Sequence, residues 1–277
     1  MKILILIIAS NDFIHEADLS VQQKTWIRDK HKNVQVLYLR GWNHKSYLLE
    51  QDTLFVPCKE DYNLILTKTI LGLQYILKNI SFDVLVRSNV STYFETSRLI
   101  AEIEKPLYRQ EFIGGYFDQY KLGMSNKTQN YEYISGTGIF LSKKAVEMLI
   151  TMPPDKYYGI FDDIAIFNFF KNSEIKSIRM NRNNLHSTHI FIPTYHIRMK
   201  NSFNSESTVR RMLLVHNYFQ AKTIRLKLFT YWKICLNEVQ EFRTSSEPLY
   251  LFLIKNRVVT VSYIKLTIEK ILRILRL

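Results

Sequence analysis

Short runs of aliphatic residues alternate with longer amphipathic segments along the first half of the chain. The run at residues 3–9 contains no polar residue, which is typical of a strand buried on both faces of a parallel sheet. The longer segments place apolar residues three and four positions apart, which predicts helices. The pattern predicts strands at 2–9, 34–39, 53–56 and 83–86, and helices at 17–30 and 63–79.

The second half of the pattern continues in the same way, with a polar and irregular stretch near 118–130. It predicts strands at 112–115, 131–141 and 189–195, and helices at 99–104, 142–151 and 163–171. Strands that alternate with helices indicate a layered α/β domain with a mostly parallel central sheet. A Ser at position 142 is a favourable cap for the helix that follows it.

Polar residues follow several of the predicted strands. Ligands of parallel sheets bind beyond the carboxyl ends of the strands, so the residues at these ends are candidates for binding. Arg40 and Gly41 follow the second strand. The candidates after the first and fourth strands are Ser10, Asn11, Asp12, Arg87, Ser88 and Asn89.

A glycine-containing segment and an acidic pair form a second group of candidates. Ser135-Gly136-Thr137-Gly138 precedes an apolar run, and glycine lets a backbone approach a ligand closely. Asp162 and Asp163 stand at a predicted helix start, where a carboxylate is held in place and available as a general base. Repulsion between the two acids raises the pKa of one of them. An ordinary strand-to-helix turn and a helix cap remain as alternatives.

These motifs resemble a known enzyme family. Ser135-Gly136-Thr137-Gly138, Leu141-Ser142 and Asp162-Asp163-Ile164 are similar, in order and spacing, to the core of the beta-1,3-galactosyltransferase and Fringe-like glycosyltransferases. The resemblance covers about residues 1–220. It implies a glycosyltransferase type A fold, Rossmann-like, with helices on both sides of the sheet.

The resemblance also implies an activity. It implies inverting transfer from a nucleotide-sugar, most simply a UDP-sugar of galactose, N-acetylglucosamine or xylose, to a hydroxyl of a glycan or glycoprotein acceptor. Asp163 takes the role of the base, and Asp162 orients it or contacts the acceptor. Ser135, Gly136 and Gly138 are then donor-binding positions. A catalytically inactive, carbohydrate-binding member of the same fold is the main alternative.

The chain departs from the family at its metal site. The family holds the donor diphosphate through a divalent ion on an Asp-x-Asp-like motif, but Arg87-Ser88-Asn89 stands at that position. The need for Mn²⁺ or Mg²⁺ is therefore open, and no metal ligand is assigned. Side-chain cations are the substitute: Arg87, and His196, Arg198 and Lys200, which alternate onto one side of an extended segment. A solvated edge strand is the alternative for that segment.

The charge of the chain fits a phosphate-bearing partner. The formal net charge is +13, which attracts nucleic acid, anionic lipid or nucleotides. No helix-turn-helix, RNP or zinc-finger motif supports nucleic-acid binding, so we expect none.

The last part of the chain differs from the rest. Residues 221–277 mix Lys and Arg with aliphatic residues and are predicted to form a helical extension behind a 1–220 domain. The spacing at 264–277 predicts a basic amphipathic helix, which either lies on an anionic membrane or packs on the domain. No run reaches the roughly 18 apolar residues of a membrane span, and we expect a cytoplasmic protein of bacterial or viral type.

Overall fold

The computed structural model describes residues 1–122, 129–184, 194–199 and 205–223, with a few positions from 226 to 234. The chain divides into two compact units. One is Met1–Arg182 with Thr194–Arg198, and the other is Asn183–Pro193 with Met199–Leu277. The predicted boundary at residue 220 stays a prediction. The predicted helix at 264–277 lies outside the described residues.

The first unit is built on a large mixed sheet. Its strands, among the described residues, are β1 (Ile3–Ile8), β2 (Val34–Gly41), β3 (Leu48–Glu50), β4 (Thr53–Val56), β5 (Val84–Asn89), β6 (Thr92–Phe94), β7 (Phe112–Leu122), β8 (Gln129–Ser142), β9 (Lys176–Arg179) and β11 (His196–Arg198). The short strand β10 (Asn183–Asn184) belongs to the second unit. The main sheet has the order β3-β4-β2-β1-β5-β8-β7-β9. Its strands β4, β2, β1 and β5 run parallel, and β8 is antiparallel to both β5 and β7. Strand β6 pairs with β11 in antiparallel fashion outside this sheet.

The first unit also contains the helices α1 (Phe13–Gln22), α2 (Ile65–Asn79), α3 (Thr96–Ile103), α4 (Lys143–Leu149) and α5 (Asp162–Phe170). The second unit contains α6 (Ser205–Gln220). Helix α4 begins as predicted, because the Ser142 side chain accepts a hydrogen bond from the Ala145 backbone N–H at 3.3 Å. Among the described residues, no helix has the length and hydropathy needed to cross a bilayer.

The core lies between the sheet and helices α2, α4 and α5. Every residue of β1 is buried, which confirms the prediction of a first strand covered on both faces. Leu6 of β1, Leu85 of β5 and Leu141 of β8 share one cluster with Leu73 of α2 and Ile166 of α5. Burial of these side chains fixes the register of the strands, and the strands in turn place the polar residues at their ends.

One prediction about the strands is wrong. Arg87, Ser88 and Asn89 were expected beyond the end of a strand, but β5 continues to Asn89, which pairs with Ile8 of β1. Their polar side chains break the apolar pattern while the backbone stays in the ladder. The glycine segment at 135–138 lies inside β8, within the strand predicted at 131–141. The pattern also missed the short strands β3 and β6, and most of the strand predicted at 189–195 lies outside the described residues.

Candidate active site

The predicted residues of the first unit meet at one edge of the sheet. The parallel strands β1, β2 and β5 end there, since Ile8 pairs with both Leu39 and Asn89. Strand β8 runs in the opposite direction, and Gly138 pairs with Ser88. The glycine segment of β8 therefore begins at the edge where the other strands end.

The glycine segment forms a wide irregularity in the ladder between β7 and β8. Gly115 pairs with Ile139, whereas Phe117 pairs with Ile134. Two steps along β7 thus correspond to five along β8, and residues 135–138 bulge out of register. Such bulges bend a strand and redirect its groups, and they are common beside active sites.

The two glycines of the bulge are required by their neighbours. A Cβ at Gly136 would lie 2.6 Å from Nη1 of Arg87, and a Cβ at Gly138 would lie 2.6 Å from Cε1 of His196. Both distances are far below van der Waals contact. Glycine therefore allows the bulge to pack directly against these two side chains.

Arg87 joins the bulge to the acidic pair. Its Nη1 donates a hydrogen bond to the Gly136 carbonyl at 2.6 Å. Its Nη2 forms an ion pair with the Asp162 carboxylate. The two side chains are only 6% and 14% exposed, so this is a nearly buried charge pair. The guanidinium is committed to protein groups, which differs from the free cation expected at this position.

Asp163 is held by the same bulge. One carboxylate oxygen accepts the Gly136 backbone N–H at 3.0 Å, and the other accepts the Ile164 N–H at 2.9 Å. Burial raises the pKa of Asp163, and the neighbouring Asp162 raises it further, while Arg87 and the two N–H groups oppose this shift. A carboxylate with a raised pKa on the first turn of α5 is suited to general base catalysis.

Ser88 and Asn89 bond to the protein itself. The Ser88 hydroxyl donates to the Thr137 carbonyl at 2.6 Å. The Asn89 side-chain oxygen accepts from the Ser91 hydroxyl at 3.0 Å and from the Thr92 hydroxyl at 2.9 Å. These bonds close the turn between β5 and β6. They leave less capacity for a ligand than the sequence alone indicated.

The residues at this turn do not fit a divalent metal. Mg²⁺ and similar ions are held mainly by carboxylate oxygens, but the turn offers the neutral side chains of Asn89 and Ser91. Across the described part of the chain, no group of three His, Cys, Asp or Glu side chains is arranged to hold a metal ion. The reaction proposed below therefore includes no step on a metal ion.

The end of β1 forms a small polar network. Asp12 caps α1 by accepting the His15 N–H at 2.8 Å, and Ser10 bonds to both Asp12 and His15. Asn11 accepts a hydrogen bond from Nη1 of Arg40 at 3.1 Å. The first helix thus starts immediately beyond β1, at the same edge as the bulge.

A second buried arginine, Arg182, was not singled out from the sequence. Its Nη1 donates to the hydroxyls of Ser135 at 2.6 Å and Thr137 at 3.1 Å. Its Nη2 lies 3.5 Å from the Asp118 carboxylate, and its guanidinium lies 3.9 Å from the centre of the Tyr116 ring. Arg182 therefore ties the bulge to β7. The only signal in the sequence was the general excess of basic residues late in the chain.

The predicted phosphate clamp at residues 196–200 is not supported at its first position. His196 is completely buried, with its ring stacked on Phe94 at 5.1 Å. Burial and the nearby charge of Arg182 lower the pKa of His196 to about 3, so the ring is neutral near pH 7. Arg198 is only partly buried, and Lys200 lies outside the described residues.

Comparison with solved structures supports the fold. A glycosyltransferase involved in the glycosylation of the major capsid of PBCV-1 matches 77% of this chain and 100% of its own, with a TM-score of 0.50 and 10% sequence identity. The galactosyltransferase LgtC, in complex with donor and acceptor sugar analogues, matches 80% of this chain and 97% of its own, with a TM-score of 0.45 and 10% identity. The first of these carries the assignment. The chain has the α/β fold of type A glycosyltransferases, as predicted from its sequence.

No protein-family model and no curated protein matches the sequence. The resemblance to the beta-1,3-galactosyltransferase and Fringe-like family is therefore supported for the fold and not for the family itself.

Proposed function

We propose that this protein is a glycosyltransferase that moves a sugar from a nucleotide-sugar to a glycan or glycoprotein hydroxyl, with inversion at the anomeric carbon. The main support for the proposal is the environment of Asp163. Its carboxylate is fixed by two backbone N–H groups, its pKa is raised by burial and by Asp162, and it lies at the strand ends of a glycosyltransferase fold. A UDP-sugar is the donor that we propose.

The chemistry assigned to Asp163 is a single displacement. The acceptor hydroxyl attacks the anomeric carbon as Asp163 takes its proton. The new bond joins the acceptor oxygen to that carbon, and the bond to the diphosphate oxygen breaks with its electron pair. Attack from the face opposite the leaving group inverts the configuration. The sugar acceptor gains one glycosidic bond, and a nucleoside diphosphate leaves.

Arg87 and Asp162 act in this scheme as positioning residues. Arg87 bonds to the Gly136 carbonyl, and the N–H of the same glycine donates to Asp163. The ion pair with Asp162 holds Arg87 in this position. We therefore assign to Arg87 the orientation of the base rather than direct neutralisation of the diphosphate.

Arg198 is the proposed contact to the diphosphate. Within the described part of the chain its Nε–H has no hydrogen-bond partner, and its charge lowers the pKa of the buried Arg182 nearby. Among the described residues, the charges that act on Arg182 come from Arg198 and Asp118, so two close cations face one carboxylate there. Lys200 is proposed to add to this positive charge, and Ser10, Asn11 and Asp12 are proposed to contact the nucleoside at the end of β1.

A panel of nucleotides tests the proposal and its metal dependence together. We expect UDP to raise the melting temperature of the protein more than GDP or CMP does. Because Arg87-Ser88-Asn89 stands where the family has acids, we expect the UDP shift and sugar transfer to persist in excess EDTA. The measurement is thermal denaturation with each nucleotide, with Mn²⁺ or with EDTA, followed by transfer assays under both conditions.

The result that contradicts the metal prediction is complete loss of transfer in EDTA with recovery on addition of Mn²⁺ or Mg²⁺. The absence of a shift with every nucleotide would contradict the proposed function, because a transferase must bind its nucleotide product.

The basic C-terminal segment leads to a separate proposal of membrane contact, where a lipid-linked acceptor would be met. Residues 264–277 carry four Lys or Arg residues, and each contributes about 1 kcal/mol near an anionic surface. We expect the full chain to co-sediment with phosphatidylglycerol vesicles and a chain ending at Tyr263 to remain in the supernatant. Equal sedimentation of the two would refute membrane contact by this segment.

A further inference from the structure

An exposed aromatic surface flanks the acidic pair. Tyr62 is 68% exposed and Tyr158 is 66% exposed, and Ile160 and Phe161 are each 45% exposed. Phe161 directly precedes Asp162 and Asp163 in the chain. Large apolar side chains that stay in water beside a charged cleft are candidates for ligand contact.

The two central rings come from distant parts of the first unit. Tyr62 begins a short 3-10 turn before α2, which is capped where Asp61 accepts the Asn63 N–H at 2.8 Å. Phe161 is the residue immediately before α5. Their ring centres lie 6.2 Å apart and the rings cross at 81°. This edge-to-face contact holds the two rings nearly perpendicular to each other, so that they form two walls of one surface.

The carboxylates lie within electrostatic reach of these rings. Partial burial raises the pKa of the Tyr62 hydroxyl, the charges of Asp162 and Asp163 raise it further, and Arg87 lowers it. The aromatic walls and the proposed base therefore border one region. Small-ligand sites commonly combine apolar walls with a few polar groups that set the orientation of the ligand.

We propose that Tyr62 and Phe161 bind the acceptor sugar, with the apolar C–H face of a pyranose ring against the aromatic walls and one hydroxyl directed to Asp163. This inference rests on the proposed function, since it names the acceptor site of the same reaction. A pyranose has both an apolar face and hydroxyl groups, which matches two rings beside a carboxylate. The patch comprises four exposed residues, whereas a typical protein interface has about 20–30 residues on each side, so a sugar is the better occupant.

Saturation-transfer NMR measures this contact directly. The probes are the methyl β-glycosides of galactose, N-acetylglucosamine and xylose, each in the presence of UDP. We expect at least one probe to receive saturation from the protein. The substitutions Tyr62→Ala and Phe161→Ala should each weaken that signal at least fivefold, because each removes one aromatic wall of the site.

Two further variants separate ring contact from general damage. Tyr62→Phe keeps the ring and should keep the signal. Tyr47→Ala removes another partly exposed tyrosine, whose ring stacks on Tyr75 and not on Phe161, and should also leave the signal unchanged. The UDP-induced rise in melting temperature should be the same in all four variants, since none is placed at the donor site.

Two outcomes overturn the inference: no signal from any probe with the unaltered protein, or a signal that survives both Tyr62→Ala and Phe161→Ala. Failure of the proposed function looks different. In that case no nucleotide shifts the melting temperature, whatever residue stands at position 62.

Discussion

Replacing Asp163 by Asn is expected to reduce sugar transfer by about 10²–10⁴-fold, the usual contribution of a general base, while UDP binding is retained. The amide keeps the size of the side chain and accepts the Gly136 N–H through its oxygen, so the bulge should keep its shape. Initial rates of transfer and the UDP-induced thermal shift, measured on the same preparation, separate the two effects. Asp155→Asn, an exposed acid on the turn before α5, is the matched control and should be fully active.

Asp162→Asn provides the internal comparison. If Asp162→Asn is inactive and Asp163→Asn retains its rate, the two acids have the opposite roles. If both variants transfer sugar at the unaltered rate, the base lies elsewhere and the assignment of the site is wrong.

The pH dependence of transfer should report the environment of Asp163. A base must be deprotonated, so kcat/KM rises with pH through its pKa, and the raised pKa of Asp163 places this rise above that of an ordinary aspartate. Removing the like charge with Asp162→Asn should move the rise to lower pH. A profile that is unchanged in Asp162→Asn would contradict the assignment.

The architecture was predictable because it depends on burial. Aliphatic runs such as Ile3–Ile8 and the apolar spacing of α2 and α5 are visible in the sequence, and each was placed within a few residues. The errors fall where polar residues lie inside regular structure. Arg87 stays in β5 because its charge is paired and its backbone remains in the ladder, which an aliphatic pattern cannot indicate.

The sequence indicated several residues of the site, but it did not indicate how these residues contact one another. The sequence indicated Gly136 and Asp163 separately, and the structure joins them by a hydrogen bond. The ion pair between Arg87 and Asp162 depends on how α5 docks against β8, which no local pattern encodes. His196 was expected to be a cation because its spacing matched that of Arg198, but the fold places its ring in the core against Phe94.

Arg182 and Tyr62 were missed for a related reason. Neither stands in a motif, and each gains its importance from partners far away in the chain. Arg182 donates to Ser135 and Thr137, and Tyr62 contacts Phe161. Long-range contacts of this kind become visible only when the sheet has been assembled.

Among the substitutions considered, we expect the largest loss of stability when the ion pair between Arg87 and Asp162 is broken. Arg87→Met leaves the Asp162 carboxylate, 14% exposed, without its partner. Loss of one member of a buried pair typically costs about 3–5 kcal/mol, because the remaining charge stays desolvated. We therefore expect a clear fall in the urea midpoint of unfolding. Lys144→Met, which breaks an exposed pair with Glu147 at 3.6 Å, is the control and should cost less than about 1 kcal/mol.

The double variant Arg87→Met, Asp162→Leu distinguishes the cost of an unpaired charge from the loss of packing. Apolar replacement of both members of a buried pair is often neutral or stabilising, so most of the lost free energy of unfolding should return. Sugar transfer should not return, because the hydrogen bond from Arg87 to the Gly136 carbonyl is still missing. That bond orients Gly136, whose N–H donates to Asp163. Recovery of both stability and transfer in the double variant would show that the pair is structural and that Asp163 is positioned without it. Equal destabilisation by the single and double variants would instead mean that packing around the guanidinium outweighs its charge.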